Sequence, residues 1–358
     1  MERPGATPDP QAWWDRYGHR VGPVGESPEP QLRLGPDGSD RPGGRESTDA
    51  SEPAGAPAEL TGDAIVRDDR RDEPSSGWRR AVLRLSGGAV NPGPGAAEVA
   101  HRELLHRIRR PLSRTRHVAV TSMKGGVGKT TVATLLGLVL AETRGDRVVA
   151  LDANPDAGTL ADRLTGESAV TVRELVRDLE RIDSWAAVSY YTSLVGRLQV
   201  LASQQDAAAG DGLSRDEYDS VSALLERYFN IIITDSGTGF LHPAMAGILA
   251  RAQSLVIVGA PTVDGAGRAS KTLDWLWSNG FALLARDAVA VLSSARSSPD
   301  VDSARIREHF AARCRAVVEI PHDPQLAVGG RVELARLAPA TRAAAFELAA
   351  LVADDFAS

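Results

Sequence analysis

One eight-residue run combines the residue types that bind phosphate. It reads Lys-Gly-Gly-Val-Gly-Lys-Thr-Thr over Lys124–Thr131 and stands between a β-branched apolar run and a helical pattern. Glycines let the backbone curl so that successive N–H groups point at phosphate oxygens, and the N-terminus of the following helix adds partial positive charge. We expect Lys129 to contact β- and γ-phosphates and the Thr130 hydroxyl to ligate Mg²⁺. The other predicted phosphate contacts are Gly125, Gly126, Val127, Gly128 and Thr131.

Lysine is rare in this chain, so the presence of two lysines in this loop is informative. Of 41 basic residues, only Lys124, Lys129 and Lys271 are lysines. A retained lysine is therefore expected where a compact ammonium group is needed. The loop also departs from the usual phosphate-binding pattern, because Met123 stands where the first glycine belongs and Lys124 follows it.

The loop needs a strand before it and a helix after it, and the rest of the chain predicts such a framework. From His117 onward, short apolar runs alternate with helical patterns, which is typical of a parallel sheet wrapped by helices. The sequence predicts an α/β fold with a doubly wound, mostly parallel sheet of the P-loop NTPase type. The predicted strands are His117–Ser122, Arg147–Asp152, Leu198–Ala202, Ile231–Asp235, Ser254–Gly259, Ala288–Leu292 and Ala316–Ile320. The predicted helices include Thr130–Glu142, Ser214–Tyr228, Ala266–Ser278 and Pro339–Ala353.

With its first lysine, the loop resembles that of the MinD/ParA family of deviant Walker ATPases, over about residues 116–350. The resemblance implies that ATP is sandwiched in a homodimer, where Lys124 reaches the phosphates bound by the other subunit. It also implies that Asp235, after the run Ile231–Thr234, holds the water shell of Mg²⁺, although a helix-capping role is the alternative. Pro321 and Asp323 are expected beside the nucleotide base.

The second predicted strand ends in a departure from that family. Asp152 keeps the first acidic position, but Asn154 stands where the family usually has the aspartate that orients the attacking water. An amide supplies no charge and is a poor base, so hydrolysis is expected to be slow. Asp152 or Asp156 could compensate, and the alternative role for Asn154 is to cap the turn before Pro155.

Taken together, these residues form the predicted site. The catalytic candidates are Lys124, Lys129, Asp152 and Asn154, and the Mg²⁺ ligands are Thr130, Asp152 and Asp235. Where many family members carry an adenine-recognising asparagine, this chain reads Val291–Ser294, so the resemblance does not fix the base.

The N-terminal part of the chain differs in composition from the predicted α/β domain. Residues 1–75 contain 11 Pro and 10 Gly and lack apolar periodicity, which predicts a disordered arm. Within the arm, Trp13–Tyr17 is either a docking motif for a partner protein or a chance cluster.

Residues 76–115 form a basic helical preamble before an ATPase domain predicted over 116–358. Between Trp78 and His117, nine arginines face only Glu98 and Glu103. Solvated helix faces, nucleic acid, an acidic lipid surface or an acidic partner could account for this excess. The preamble and arm resemble those of actinobacterial ATPases associated with type VII secretion, the EspI-like group.

Other classes are excluded or disfavoured. The apolar run Ala246–Val258 is interrupted by Arg251, so no integral membrane segment is expected. The single Cys314 excludes a disulfide framework, and the N-terminal sequence lacks the pattern of a secretory signal, which predicts a cytoplasmic protein. A net charge of −6 argues against coating of nucleic acid, so nucleic-acid binding is possible but not favoured.

The resemblance therefore implies a Mg-ATP-binding switch ATPase that dimerises with ATP and positions or regulates another machine, with type VII secretion as the expected setting. Three alternatives stay open. They are a chromosome or plasmid partitioning ATPase, a nucleotide-gated scaffold with negligible hydrolysis, and a small-molecule kinase or ligase.

Overall fold

The computed structural model describes Pro74 and residues 77–122, 124–154, 158–166, 170–203, 212–239, 242–294 and 301–356. The predicted arm apart from Pro74, including Trp13–Tyr17, lies outside these residues, as do Met123, Pro155 and Asp156. The described residues fall into two compact units, one that ends at Glu98 and one that begins at Val99.

The first unit contains helix α1, Gly77–Leu85. Arg79 donates to the carbonyl oxygens of Pro92 at 2.9 Å and Gly93 at 3.4 Å, so the segment after α1 folds back onto it. Helix α2, Ala96–Ile108, begins in this unit and continues into the second. The preamble predicted over residues 76–115 thus spans both units.

The second unit is built on one eight-stranded sheet. Its strands are β1 Arg116–Ser122, β2 Val148–Ala153, β3 Ser193–Val195, β4 Leu198–Leu201, β5 Ile231–Thr238, β6 Ser254–Gly259, β7 Val289–Ser293 and β8 Ala316–Ile320. They lie in the order β3-β4-β2-β5-β1-β6-β7-β8. All neighbours are parallel except β3 and β4, which confirms the predicted mostly parallel sheet.

Two features of the sheet differ from the prediction. β5 does not end at Asp235 but continues to Thr238, because Ser122 and Thr238 still pair across β1 and β5 after an irregularity in the ladder. The sequence patterns do not predict β3, since three residues are too few to show an alternation of apolar and polar side chains.

Helices connect the strands. They are α3 Lys129–Thr143, α4 Leu160–Leu164, α5 Val172–Arg177, α6 Trp185–Tyr190, α7 Arg215–Glu226, α8 Pro243–Arg251, α9 Val263–Ser278, α10 Ala282–Arg286, α11 Ser303–Ala311, α12 Pro324–Ala327 and α13 Pro339–Ala353. Single 3-10 turns span Leu179–Arg181 and Leu334–Arg336. None of the helices in the described part of the chain has the length and apolar character needed to cross a membrane.

Apolar side chains cover both faces of the sheet. Leu136 of α3 and Phe346 of α13 pack on one face, whereas Tyr218 of α7, Ile248 of α8 and Leu273 of α9 pack on the other. The strand residues between them are almost entirely buried, as expected of a parallel sheet with helices on both sides. This arrangement confirms the predicted doubly wound fold.

The second half of α2 is fixed to this unit. Ile108 is fully buried in the same cluster as α3 and α13, and Arg144 donates to the backbone carbonyls of Ile108 and Arg110. Arg107 and Arg110 both bind the carboxylate of Asp354, at 2.6 and 2.9 Å. Part of the basic excess predicted in the preamble is therefore used within the chain.

Candidate functional site

A cleft of about 580 Å³ opens at the carboxyl ends of the parallel strands, where α/β sheets usually bind their ligands. Of the predicted site residues, those that line it are Lys124, Gly125, Gly126, Gly128, Lys129, Thr130, Thr131, Asn154, Pro321 and Asp323. Val127, Asp152 and Asp235 are buried behind this surface. The structure thus brings residues from distant parts of the sequence to one cleft.

The loop has the backbone shape of an anion cradle. Gly126 and Gly128 have φ angles of 74° and 95°, a left-handed conformation that residues with a Cβ rarely adopt. Gly128 caps α3, and among the described residues no side-chain cap hydrogen bond is made at the start of this helix. A Cβ on Gly128 would lie 2.8 Å from the Ser293 hydroxyl oxygen, so only glycine fits there. These free N–H groups and the helix dipole suit a phosphate.

Lys129 and Asp235 form a buried ion pair beneath the loop. Lys129 Nζ lies 2.7 Å from Asp235 Oδ1, and both side chains are at least nine-tenths buried. Asp235 Oδ2 is also buried, and no hydrogen-bond donor reaches it from the described residues. The pair therefore leaves one carboxylate oxygen able to accept a further contact from a ligand or its water.

Asp152 lies beside Asp235, because the two residues are paired in register on β2 and β5. Its carboxylate accepts hydrogen bonds from the backbone N–H groups of Asn154 at 3.1 Å and Leu160 at 3.0 Å. Burial, followed by the charge of Asp235, nevertheless raises the pKa of Asp152 to about 7. Asp152 thus holds the start of α4, and its carboxyl titrates near neutral pH.

Lys124 contacts Asp264 across the mouth of the cleft. Asp264 lies in the first turn of α9, where a negative charge is favourable, and it also accepts from Arg268 at 3.1 Å. Hydrogen bonds from Lys124 and Arg268 lower the pKa of Asp264. Sequence reasoning missed Asp264 as a partner of Lys124, because 140 residues separate them and only the fold brings them together.

Asp323 and Ser293 form the far side of the cleft. Asp323 accepts at 2.9 Å from the backbone N–H groups of Gln325 and Ala338, so its carboxylate fixes the starts of α12 and α13. Burial favours the neutral acid, but these hydrogen bonds outweigh it and lower the pKa of Asp323. Ser293 ends β7 and is almost fully buried beside the loop.

Thr159, Arg163 and Thr238 are among the lining residues that lie outside the predicted site. Thr159 and Arg163 belong to the segment that contains α4, and Thr238 belongs to the unpredicted extension of β5. No motif in the sequence identifies them, because their place in the cleft depends on the path of the chain after β2 and β5.

The residues present fit a magnesium-bound nucleotide. The glycine cradle and open helix N-terminus provide donors for phosphate oxygens. The buried, unpartnered Asp235 Oδ2 and the Thr130 side chain in the cleft provide the oxygen ligands that Mg²⁺ prefers.

Comparison with known proteins gives a consistent result. The family described as the CobQ/CobB/MinD/ParA nucleotide binding domain matches residues 118–324. The ESX-1 secretion-associated protein EspI of Mycobacterium tuberculosis is 34% identical over 284 residues, which are 78% of this chain and 42% of EspI. This chain therefore spans less than half the length of that relative.

Two further similarities extend this picture. The maintenance of carboxysome distribution protein A of Synechococcus elongatus is 29% identical over 160 residues, which are 44% of this chain and 63% of that protein. The crystal structure of a ParA family ATPase from Chlorobium tepidum superposes with a TM-score of 0.56 at 19% identity, covering 66% of this chain and 98% of that one. The predicted resemblance to MinD/ParA ATPases and to EspI is confirmed, and the chain belongs to the CobQ/CobB/MinD/ParA family of nucleotide-binding domains.

Proposed function

We propose that this chain is a Mg-ATP-binding switch ATPase that dimerises around ATP and regulates or positions another machine, with type VII secretion as its setting. The observation that supports this most directly is the Lys124–Thr131 loop, which opens α3 above the buried pair of Lys129 and Asp235. A small-molecule kinase or ligase is disfavoured by Lys124, which the usual phosphate-binding loop lacks.

Each residue of the loop has a role in the proposed site. Backbone N–H groups from Gly125 to Thr131 would hold the phosphates, and Lys129 would turn from Asp235 toward the β- and γ-phosphates. Bound Mg²⁺ would neutralise phosphate charge. The Thr130 hydroxyl and Asp235 Oδ2 are the groups that would hold it, with Asp152 as the neighbouring carboxylate.

Lys124 supports the dimer in this proposal. Its side chain is 41% exposed and contacts Asp264 at the surface of the cleft, next to the exposed Val263. A cross-subunit role requires Lys124 to leave Asp264 and reach phosphates bound by a second copy. An exposed ion pair contributes little to stability, so this exchange has a small energetic cost.

The proposed setting, type VII secretion, is supported by the similarity to EspI. EspI is named for its association with ESX-1 secretion, and 78% of this chain matches it. We propose a cytoplasmic protein whose partner binds the N-terminal arm, with Trp13–Tyr17 as the docking motif.

Intracellular positioning of another cargo is the second candidate, supported by the similarity to a protein named for carboxysome distribution. A DNA-bound version is disfavoured. Arg251 is paired with Asp219 and Glu226, Arg268 is paired with Asp264, and several preamble arginines bind carbonyls or Asp354. The charge of these arginines is used within the chain, which leaves it less available to the phosphates of a duplex.

Two lysine variants test the proposal. Lys129→Ala should abolish ATP binding in calorimetry, because no ammonium group faces the phosphates. Lys124→Ala should keep ATP binding by the monomer but lose the ATP-dependent dimer in light scattering. Lys271→Ala, a change of the chain's other lysine outside the loop, is the matched control and should dimerise normally. An intact ATP dimer of Lys124→Ala would contradict the cross-subunit role, and an ATP-bound but non-hydrolysing wild type would favour the scaffold.

A further inference from the structure

The cations of the cleft differ in how their charge is balanced. Lys129 is paired with Asp235, and Lys124 is paired with Asp264. The third cation, Arg163, lines the same cleft from α4. Across the described ranges, no carboxylate oxygen lies within ion-pair distance of its guanidinium, whose hydrogen bond goes to the Leu326 carbonyl at 3.3 Å. Arg163 is therefore the cation of this cleft whose charge is least compensated.

Arg163 is also partly withdrawn from water. Its side chain is half-buried, and this burial lowers the pKa of its guanidinium despite the nearby charge of Asp162. A desolvated cation without an acidic partner is stabilised when an anion binds next to it. A nucleotide carries several negative charges on its phosphates, and the cleft is the place where they would lie.

The position of Arg163 does not depend on its own side chain. Its carbonyl oxygen accepts from the Val332 N–H at 2.9 Å, a backbone bond that a change of side chain does not remove. The start of α4 is held separately, by the bond from the Leu160 N–H to Asp152. These contacts fix α4 beside the segment 326–332, so the Arg163 guanidinium is presented to the cleft from a supported helix.

We propose that Arg163 binds the phosphate chain of the nucleotide as a third cation, supplied by the same subunit that provides the loop. This inference rests on the proposed function, because it requires that the cleft takes a nucleotide. The bond to the Leu326 carbonyl is long, at 3.3 Å, and its acceptor is uncharged, so a charged phosphate oxygen would replace it.

The test compares two arginines that bridge the same two segments. Arg163 and Arg331 each donate to one carbonyl across the gap between α4 and residues 326–332, but only Arg163 lines the cleft. Affinities of wild type, Arg163→Gln, Arg163→Lys and Arg331→Gln are measured by calorimetry with Mg-ATP, Mg-ADP and adenosine, at low and high salt. Melting temperatures of the four proteins establish that each is folded.

Arg163→Gln should weaken ATP and ADP binding about tenfold or more, with a smaller loss at high salt and a much smaller loss for adenosine. Arg163→Lys should recover part of the affinity, and Arg331→Gln should bind as the wild type does. Equal losses in Arg163→Gln and Arg331→Gln would reveal a merely structural bridge and overturn the inference. So would an equal loss for adenosine, which would indicate a contact with the base or ribose.

The role of Arg163 and the binding of nucleotide in the cleft can be disproved separately. If the wild type binds ATP and Arg163→Gln binds it equally well, only the role of Arg163 is overturned. If the wild type itself does not bind Mg-ATP, the proposed function is overturned together with this inference.

Discussion

At the scale of single residues, the electrostatics of the cleft depend on two neighbouring aspartates that share one lysine. Asp152 and Asp235 are in register on adjacent strands, and Lys129 pairs directly with Asp235. Burial, followed by the charge of Asp235, which one ammonium group does not fully offset, raises the pKa of Asp152 to about 7. Below about pH 7 the nucleotide-free site therefore holds a proton on Asp152, next to the place where the nucleotide-bound site is proposed to hold Mg²⁺.

This proton makes stability depend on pH. The carboxyl of Asp152 has a higher pKa in the folded chain than its ordinary value of 3.8, so the folded state binds more protons between about pH 4 and pH 7. Stability contributed by the neutral acid is complete below that range and is lost as pH rises through it.

Asp152→Asn should remove this dependence. We expect the melting temperature of the nucleotide-free wild type to fall relative to that of the variant as pH rises from 5 to 8, measured by calorimetry. The amide turns a donor toward the Leu160 N–H, so the variant can be less stable at every pH without affecting the expected slope. Parallel curves for the two proteins would refute the raised pKa.

Asn154 supports a second prediction at this scale, since it lines the cleft and the resemblance in sequence implies that it stands where the family usually has a water-orienting aspartate. Asn154→Asp should raise the rate of ATP hydrolysis in single turnovers while ATP affinity stays within a small factor, because the change acts on the water and not on ground-state binding. Equal rates in the two proteins would leave Asn154 as a cap of its turn and direct attention to Asp152 or Asp156.

At the scale of elements, the sequence predicts the framework well where the signal is local. Ser254–Gly259, Ala316–Ile320 and Pro339–Ala353 are found with the predicted bounds, because continuous apolar runs and a proline at a helix start are local features. The signals that predict the phosphate-binding loop and the helix after it are equally local. In contrast, the pairing of Lys124 with Asp264 and the place of Arg163 arise from the meeting of distant segments, which no pattern along the chain encodes.

The junction of loop and helix gives an element-scale prediction. Gly128→Ala should lower both the melting temperature and ATP affinity, because a left-handed φ costs a residue with a Cβ about 1–2 kcal/mol and the new methyl would press on Ser293. Gly145→Ala is the control, since a Cβ there meets nothing within 4 Å. Calorimetry and ATP titration measure both effects, and a wild-type melting temperature for Gly128→Ala would contradict the loop geometry.

At the scale of the whole molecule, an acidic chain carries a basic preamble, and the structure shows where part of that charge is used. Arg107 and Arg110 hold Asp354 at the end of α13, Arg109 donates to the Thr143 carbonyl, and Arg116 donates to the Phe356 carbonyl. The contacts of Arg107, Arg110 and Arg116 reach the end of the chain across more than 200 residues. Contacts within the protein therefore account for these four arginines, in addition to the explanations that the composition left open.

The N-terminal arm and α2 should consequently contribute very differently to stability. Deletion of residues 1–75 should leave the melting temperature nearly unchanged, because the composition of the arm predicts few buried contacts. Ile108→Ala should destabilise the chain by about 2–5 kcal/mol, since Ile108 is fully buried between α2 and the core. Val99→Ala is the matched control, because Val99 lies on the same helix with half of its surface exposed. If the arm deletion lowered the melting temperature as much as Ile108→Ala, the arm would have to pack on the core, and the division of the chain into a partner-binding arm and a nucleotide switch would fail.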